Sequence, residues 1–247
     1  MKTLIRFSFN VLTCVLLLAA AGPNAHANSK RTVTFQPPPG RGQPVSSAGG
    51  GTRNQGKCPL DRSRKLPRST GPSILALVPG GGGGLTLSPH PTLWIEIAPT
   101  SAKQLIFYIR EEKSGKNYYQ SIVNIADGST LIPLSIPANL PGLETGKIYL
   151  WSAVIVCGDS PHPDDPSVTA SIERIELTST SSLSGLDLVA WYAERGIWYD
   201  ALDRLALLGQ QNPDDPELKE IWRDLLRSTE VDDGAGVIAN PSQKSGK

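Results

Sequence analysis

The side chains best suited to hold a metal ion gather in one loop, where Asp159, His162, Asp164 and Asp165 follow Cys157. His90 lies in a similar tetrapeptide, "SPHP" at 88–91. Two imidazoles and three carboxylates would suit a divalent cation if those loops converged. The same residues are also turn formers: Gly-Asp, Ser-Pro and Asp-Asp-Pro start and stop turns. "PDDP" occurs again at 213–216, at the start of a helical pattern, which favours the turn reading. No metal or cofactor is therefore expected. A G-x-S-x-G elbow, a G-x-x-x-x-G-K-[ST] phosphate loop, H-E-x-x-H and an S-x-x-K pair are all absent. "GRG" at 40–42 does not continue as G-x-G-x-x-G, and the five glycines at 80–84 have no lysine after them. That run reads as a flexible hairpin loop between two β-like segments. No catalytic residue is assigned, and a hydrolase would have only the Asp159–Asp165 loop to draw on.

Two further groups, Cys58 and Cys157, gain meaning from the start of the chain. Lys2 and Arg6 precede an apolar stretch from Phe7 to Ala21, and Ala25 and Ala27 occupy the small positions of an A-x-A cleavage site. Residues 1–27 thus read as a signal peptide cleaved near Ala27, which predicts a periplasmic or extracellular protein. Cys14 would leave with the leader. No later apolar run is long enough to span a bilayer, so no transmembrane segment is expected after cleavage. In an exported chain the two remaining cysteines read most simply as one disulfide. Two free thiols or a metal pair are the alternatives, although cysteines without C-x-x-C spacing make a poor metal site. A bridge closing a loop of about 100 residues stabilises by roughly 4–5 kcal/mol on the chain-entropy account.

The elements that would position these groups follow from periodicity. The 247 residues carry 24 Lys+Arg against 23 Asp+Glu, a balance that argues against a nucleic-acid binder. Glycine (24) and proline (21) are concentrated rather than spread. Residues 28–73 are rich in Pro, Gly and Ser and lack a sustained apolar period, so they read as a linker-like arm. The arm is basic, with nine Lys/Arg from Lys30 to Arg68 and one acid, Asp61. It could meet an anionic surface polymer, or the acidic C-terminal part of the chain, through salt-screened attraction.

Residues 74–178 read as all-β. Short runs such as "TLWIEI" (92–97), "QLIFYIRE" (104–111) and "IYLWSAVIV" (148–156) recur between turn signals. Seven or eight such strands without intervening helices suit a two-sheet immunoglobulin/fibronectin-like β-sandwich. Leu143, Gly146 and Tyr149 precede one strand in the spacing of a tyrosine corner, which makes Tyr149 a structural candidate.

Residues 183–228 switch to helical spacing. Ser184 with Asp187 suggests a capping box, and Leu188, Trp191 and Tyr192 fall on one helical face. Trp198, Ala201, Leu202, Leu205 and Leu208 form a second stripe. Asp215 and Pro216 start a third helix, with Leu218, Ile221, Trp222 and Leu225 as its stripe. Gly196, Trp198, Ala201 and Pro213 are spaced as in one tetratricopeptide unit, so a small helical hairpin is expected. A lone unit cannot form a solenoid. It should pack on the sandwich, with Trp191, Trp198 or Trp222 as anchors. Residues 229–247 read as a disordered tail.

"VTFQPPPGRGQPVSSAGGGTRNQGKCP", "GLTLSPHPTLWIEI", "LETGKIYLWSAVIVCGD" and "WYDAL" together resemble the cyanobacterial family catalogued as domain of unknown function 928, over roughly residues 32–228. Cys58 and Cys157 fall where the family's motifs place cysteines. The Gly80–Gly84 run departs from the short loop usual there. The resemblance implies boundaries and a compartment but no mechanism. The expectation is therefore a non-enzymatic, envelope-associated interaction module whose partner is another envelope protein or a surface polymer. The alternative is a carbohydrate-binding module, which would need Trp94, Trp151, Tyr118 and Tyr119 exposed on one sheet face.

Overall fold

A computed structural model describes residues 32–38, 57–63, 73–80, 82–128, 130–177 and 182–229. In chain order these form α1 (Pro59–Ser63), β1 (Ile74–Ala76), β2 (Gly83–Thr86), β3 (Leu93–Ile97), β4 (Gln104–Glu111) and β5 (Asn117–Asn124). Then come β6 (Leu131–Leu134), β7 (Ile148–Val156), β8 (Ser167–Arg174), α2 (Gly185–Ala193), α3 (Trp198–Gln211) and α4 (Pro216–Arg227). The expected leader, the tail beyond Thr229 and most basic side chains of the arm lie outside the described residues.

The protein is mainly β, in two sheets with a few short helices. One sheet runs β1-β3-β6 and the other β2-β8-β7-β4-β5. Every pairing is antiparallel except β2 with β8. Alternation explains the layers. Leu105, Phe107 and Ile109 of β4 are buried and lie opposite Ile155, Ala153 and Trp151 of β7. Leu93, Ile95 and Ile97 of β3 supply the facing layer of the same core. β3 also buries Trp94 on its other face, because α3 lies against β2 and β3.

The glycine run is not a flexible hairpin loop. Its described members carry the chain from one sheet into the other. Gly80 N–H donates to Thr229 O (2.7 Å), Gly82 N–H donates to Pro79 O (2.9 Å), and β2 then runs parallel to β8. A Cβ on Gly84 would lie 2.8 Å from Trp198 Cβ, so only glycine lets α3 approach this closely.

Cys58 and Cys157 form a disulfide with Cα atoms 5.2 Å apart, tying α1 to the end of β7. Asp61, the arm's single acid, accepts hydrogen bonds from Ser101 N–H (2.6 Å) and Thr100 Oγ1 (2.8 Å). The linker-like reading of 28–73 fails in another place. Val33 and Phe35 are buried, Gln36 N–H donates to Ala193 O (3.0 Å), and Phe35 N–H donates to Ser228 Oγ (3.1 Å). Two alternating apolar residues are enough to dock this strap when helices offer a groove and main-chain partners. Pro38 continues the strap onto Gly196, which has φ of +70°; a Cβ there would lie 2.6 Å from Pro38 Cδ.

The helical residues belong to the same core as the sheets. Asp215 caps α4 by accepting from Glu217 N–H (2.8 Å) and Leu218 N–H (3.4 Å). Ser184 occupies the N-cap of α2, but its side chain makes no capping bond. The buried residues of α2 are Val189 and Ala193, not the Leu188, Trp191 and Tyr192 stripe. Small side chains let α2 pack closely on α3, and the aromatics lie at the rim.

Replacing Cys58 and Cys157 together with alanine should lower unfolding free energy by up to about 4–5 kcal/mol. Denaturant titration would measure this, and an unchanged midpoint would show that the bridge adds nothing.

Candidate functional site

A cluster of buried and half-buried polar groups lies where the first turns of α3 meet β2, β3 and their connecting loop. Gly196 ends α2 in a left-handed conformation and turns the chain into α3. Trp198 then enters the core, and its indole N–H donates to Leu77 O (2.8 Å). Tyr199 follows, fully buried. Its hydroxyl accepts from Trp151 Nε1 (2.9 Å) and donates to Ser171 O (2.7 Å). Asp200 Oδ2 accepts from Leu87 N–H (3.1 Å), and the carboxylate also takes the Thr86 hydroxyl. One turn later, Asp203 Oδ1 accepts from Trp94 Nε1 (3.2 Å), and Thr92 bonds the same carboxylate.

Thr86, Thr92, Tyr199, Asp200 and Asp203 border an open cleft of about 40 Å³ that also includes Ser88 and His90. Burial pushes the Asp200 carboxyl up to about 6, against the hydrogen bonds from Thr86 and Leu87, and nearby Asp203 adds to the rise. Burial also raises Asp203, against the bonds from Thr92 and Trp94. Burial raises the Tyr199 phenol, opposed by the Trp151 bond. Two carboxyls moved toward neutrality are the raw material of acid–base chemistry. Here both are engaged by the β2–β3 segment. The His90 ring meets Leu140 O at 2.9 Å, and the His90 main-chain N–H donates to Ser88 Oγ (3.1 Å). The cleft is smaller than the ~300–1,000 Å³ usual for ligand pockets. Its geometry is that of a polar joint holding α3 to the sheets.

The residues singled out from sequence are dispersed. Asp165 is buried and accepts from His162 N–H (2.8 Å), while its own N–H returns to His162 O (3.0 Å). Asp164 N–H donates to His162 Nδ1 (3.2 Å), and Asp159 is exposed. The loop is thus a turn built by its own side chains. Among the described residues no group of three or more His, Cys, Asp or Glu is placed to hold a metal ion.

Tyr149 is buried, and its hydroxyl accepts from Glu144 N–H (3.1 Å), five residues upstream. Tyr118 packs edge-on against it, with centroids 5.0 Å apart, and donates to Gly142 O. Trp198 and Trp222 are buried, the latter with no partner for its indole N–H among the described residues. Trp191 is not an anchor. It is half-buried at the rim, beneath the Arg195 guanidinium at 4.4 Å. The aromatic platform fails as well, since Trp94 and Trp151 are buried and the Tyr119 ring packs on Phe107.

Asp200 and Asp203 were visible only as part of an acidic helical segment. The missed signal was their place beside the apolar stripe of Trp198, Ala201 and Leu202, where an acid must be buried or bonded.

A family model described as Domain of Unknown Function (DUF928) matches residues 48–238. No curated protein matches the chain. Among solved structures, the solution structure of the third fibronectin III domain of human KIAA0343 protein is 16% identical. That match covers 49% of this chain and 99% of that one, with a TM-score of 0.25.

The Asp200 shift has a signed consequence. Its folded value of about 6 lies above the ordinary 3.8, so the folded protein holds this proton more tightly. The stabilisation is full below about pH 4 and is lost as pH rises through about 6, on the order of 2–3 kcal/mol in all. Relative to Asp200→Asn, the wild-type protein should lose stability between about pH 4 and pH 7 in thermal melts. An equal difference at both pH values would contradict the assignment.

Proposed function

The chain belongs to the DUF928 family, and from its structure we propose an exported, envelope-associated interaction module without a catalytic centre. One observation carries this reading: the outer face of the five-stranded sheet carries a solvent-facing apolar row across its middle. Ile106 pairs with both Ile122 and Val154, so three β-branched side chains stand in a row across β5, β4 and β7. Tyr108 and Val156 flank that row among Gln104, Gln120, Asn124 and Ser152, and Ile122 is 65% exposed. The charged residues on this face, Arg110 and Glu173, lie toward one end. The helices make their main sheet contacts with β2 and β3 instead. A contiguous exposed apolar face is a common mark of a docking surface.

The finer architecture supports a scaffold of this kind. The strand orders and the Tyr149–Glu144 bond favour an immunoglobulin/fibronectin-like sandwich with a tyrosine corner. The α2–α3 pair, turning at Gly196, favours a single tetratricopeptide-like hairpin used as a lateral wedge. Export is supported by the sequence of residues 1–27 and by the disulfide. A protein partner fits the open face better than a sugar, because the tryptophans needed for stacking are buried.

A photo-cross-linking residue at Val154 in exporting cells should join the protein to a discrete partner. The same residue at Leu207, exposed on α3, should not. No product from Val154, or equal products from both sites, would contradict the reading.

A further inference from the structure

The four sheet edges are treated differently. β2 lies under α3, where Gly84 meets Trp198. β1 is three residues long. β6 is four residues long and carries an exposed Pro133. Short strands, proline and covering helices are the usual protections against strand addition. β5 has none of them. Its eight residues, NYYQSIVN, include no charge, proline or glycine. Its one irregularity is a register shift where Ile109 pairs with Tyr119 but Arg110 pairs with Asn117, leaving Tyr118 as the extra residue. From Tyr119 to Asn124 the strand is regular.

The direction of its free groups is fixed. Ile125 N–H donates to Lys103 O (2.8 Å), so the main-chain groups of Ile125, Val123, Ser121 and Tyr119 point toward β4. Those of Asn124, Ile122 and Gln120 therefore point out of the sheet edge. We propose that β5 pairs antiparallel with β5 of a second copy, centred on Ile122, to join two five-stranded sheets into one across a twofold axis. This deepens the interaction reading by naming a partner for the sheet's free edge.

The register follows from counting. Only a pairing that sets Ile122 against Ile122 also sets Gln120 against Asn124 on both sides, engaging all three outward residues of each strand. The most exposed apolar side chain then meets its own copy, and the two amide side chains meet each other. On the inner face Ser121 meets Val123 and Tyr119 meets Ile125. No like charges face one another, and such pairs would destabilise. Outside the regular stretch, Lys116 precedes the strand and Asp127, which holds Lys103 of its own chain, follows it, so each end of the pair carries charges of both signs. The interface is isologous, as a closed twofold dimer requires.

Light scattering and sedimentation of the purified protein, from micromolar to near-millimolar concentration, test this. The wild-type protein should reach twice the monomer mass. Ile122→Pro removes an N–H that β4 does not use, a change edge strands tolerate, and should give a monomer with an unchanged melting temperature. Ile122→Thr keeps that N–H and should remain dimeric. Ile122→Lys places like charges face to face and should be monomeric, which serves if the proline disturbs the strand. A wild-type monomer at every concentration, or a dimer that survives both Ile122→Pro and Ile122→Lys, would overturn the proposal. A wild-type monomer that still gives the Val154 cross-link would overturn self-pairing alone and leave the interaction reading standing.

Discussion

A buried hydroxyl cannot be left without partners, and the hydroxyl of Tyr199 finds both of its partners in the five-stranded sheet. It accepts from Trp151 and donates to the carbonyl of Ser171. One residue earlier, Trp198 donates to Leu77, just past β1 of the three-stranded sheet. The first turn of α3 therefore braces the two sheets against each other along one flank. Lifting it would leave the Trp151 indole N–H and the carbonyls of Leu77 and Ser171 without these partners, at about 1–3 kcal/mol for each buried group. The remaining arrangement follows from keeping that turn in place. Gly84 makes room for it, residues 32–38 strap over it, and Asp200 and Asp203 bond the segment beside it.

The brace makes the molecule asymmetric. The flank at β2 and β3 is closed by helices and by polar groups that are already partnered. The opposite side, with the outer face of β4, β5 and β7 and the free edge of β5, has no helix over it among the described residues, and its charges, Arg110 and Glu173, lie toward one end. Apolar surface is left on that opposite side, where we propose that another chain docks. The disulfide acts at a different point, clipping α1 to the end of β7.

Much of this organisation was legible in the residues. Each of the eight strands overlaps a run marked by alternation and turn signals, because a half-buried strand writes its period directly into sequence. β2 begins at Gly83, inside the glycine run, and β8 at Ser167, ahead of its apolar run. Asp215 with Pro216 marked a helix start because capping is a local interaction. Long-range packing was less visible. Periodicity tells which face of a strand or helix turns inward but not what covers the other, so the burial of Trp94 under α3 could not be read. Val33 and Phe35 are two apolar residues in a proline-rich stretch, too few to register as an element, yet enough to fill a groove supplied from far along the chain. In α2 the large aromatics suggested the packed face, whereas close helix contact selected Val189 and Ala193. At the Asp159–Asp165 loop the residues left a metal reading open beside the favoured turn reading, because metal ligands and turn formers are the same residue types. Asp200 and Asp203 counted only toward net charge until the fold placed them beside buried main-chain and indole donors.

The account stands on the helices and both sheets being one cooperative unit, held by the first turn of α3. Native-state hydrogen exchange measures this residue by residue. Amides of α3 should exchange with the same opening free energy as those of β7 and β8, and Tyr199→Phe should lower all of them together. Exchange of α3 through a separate, lower-energy opening that leaves the sheet amides protected would contradict it.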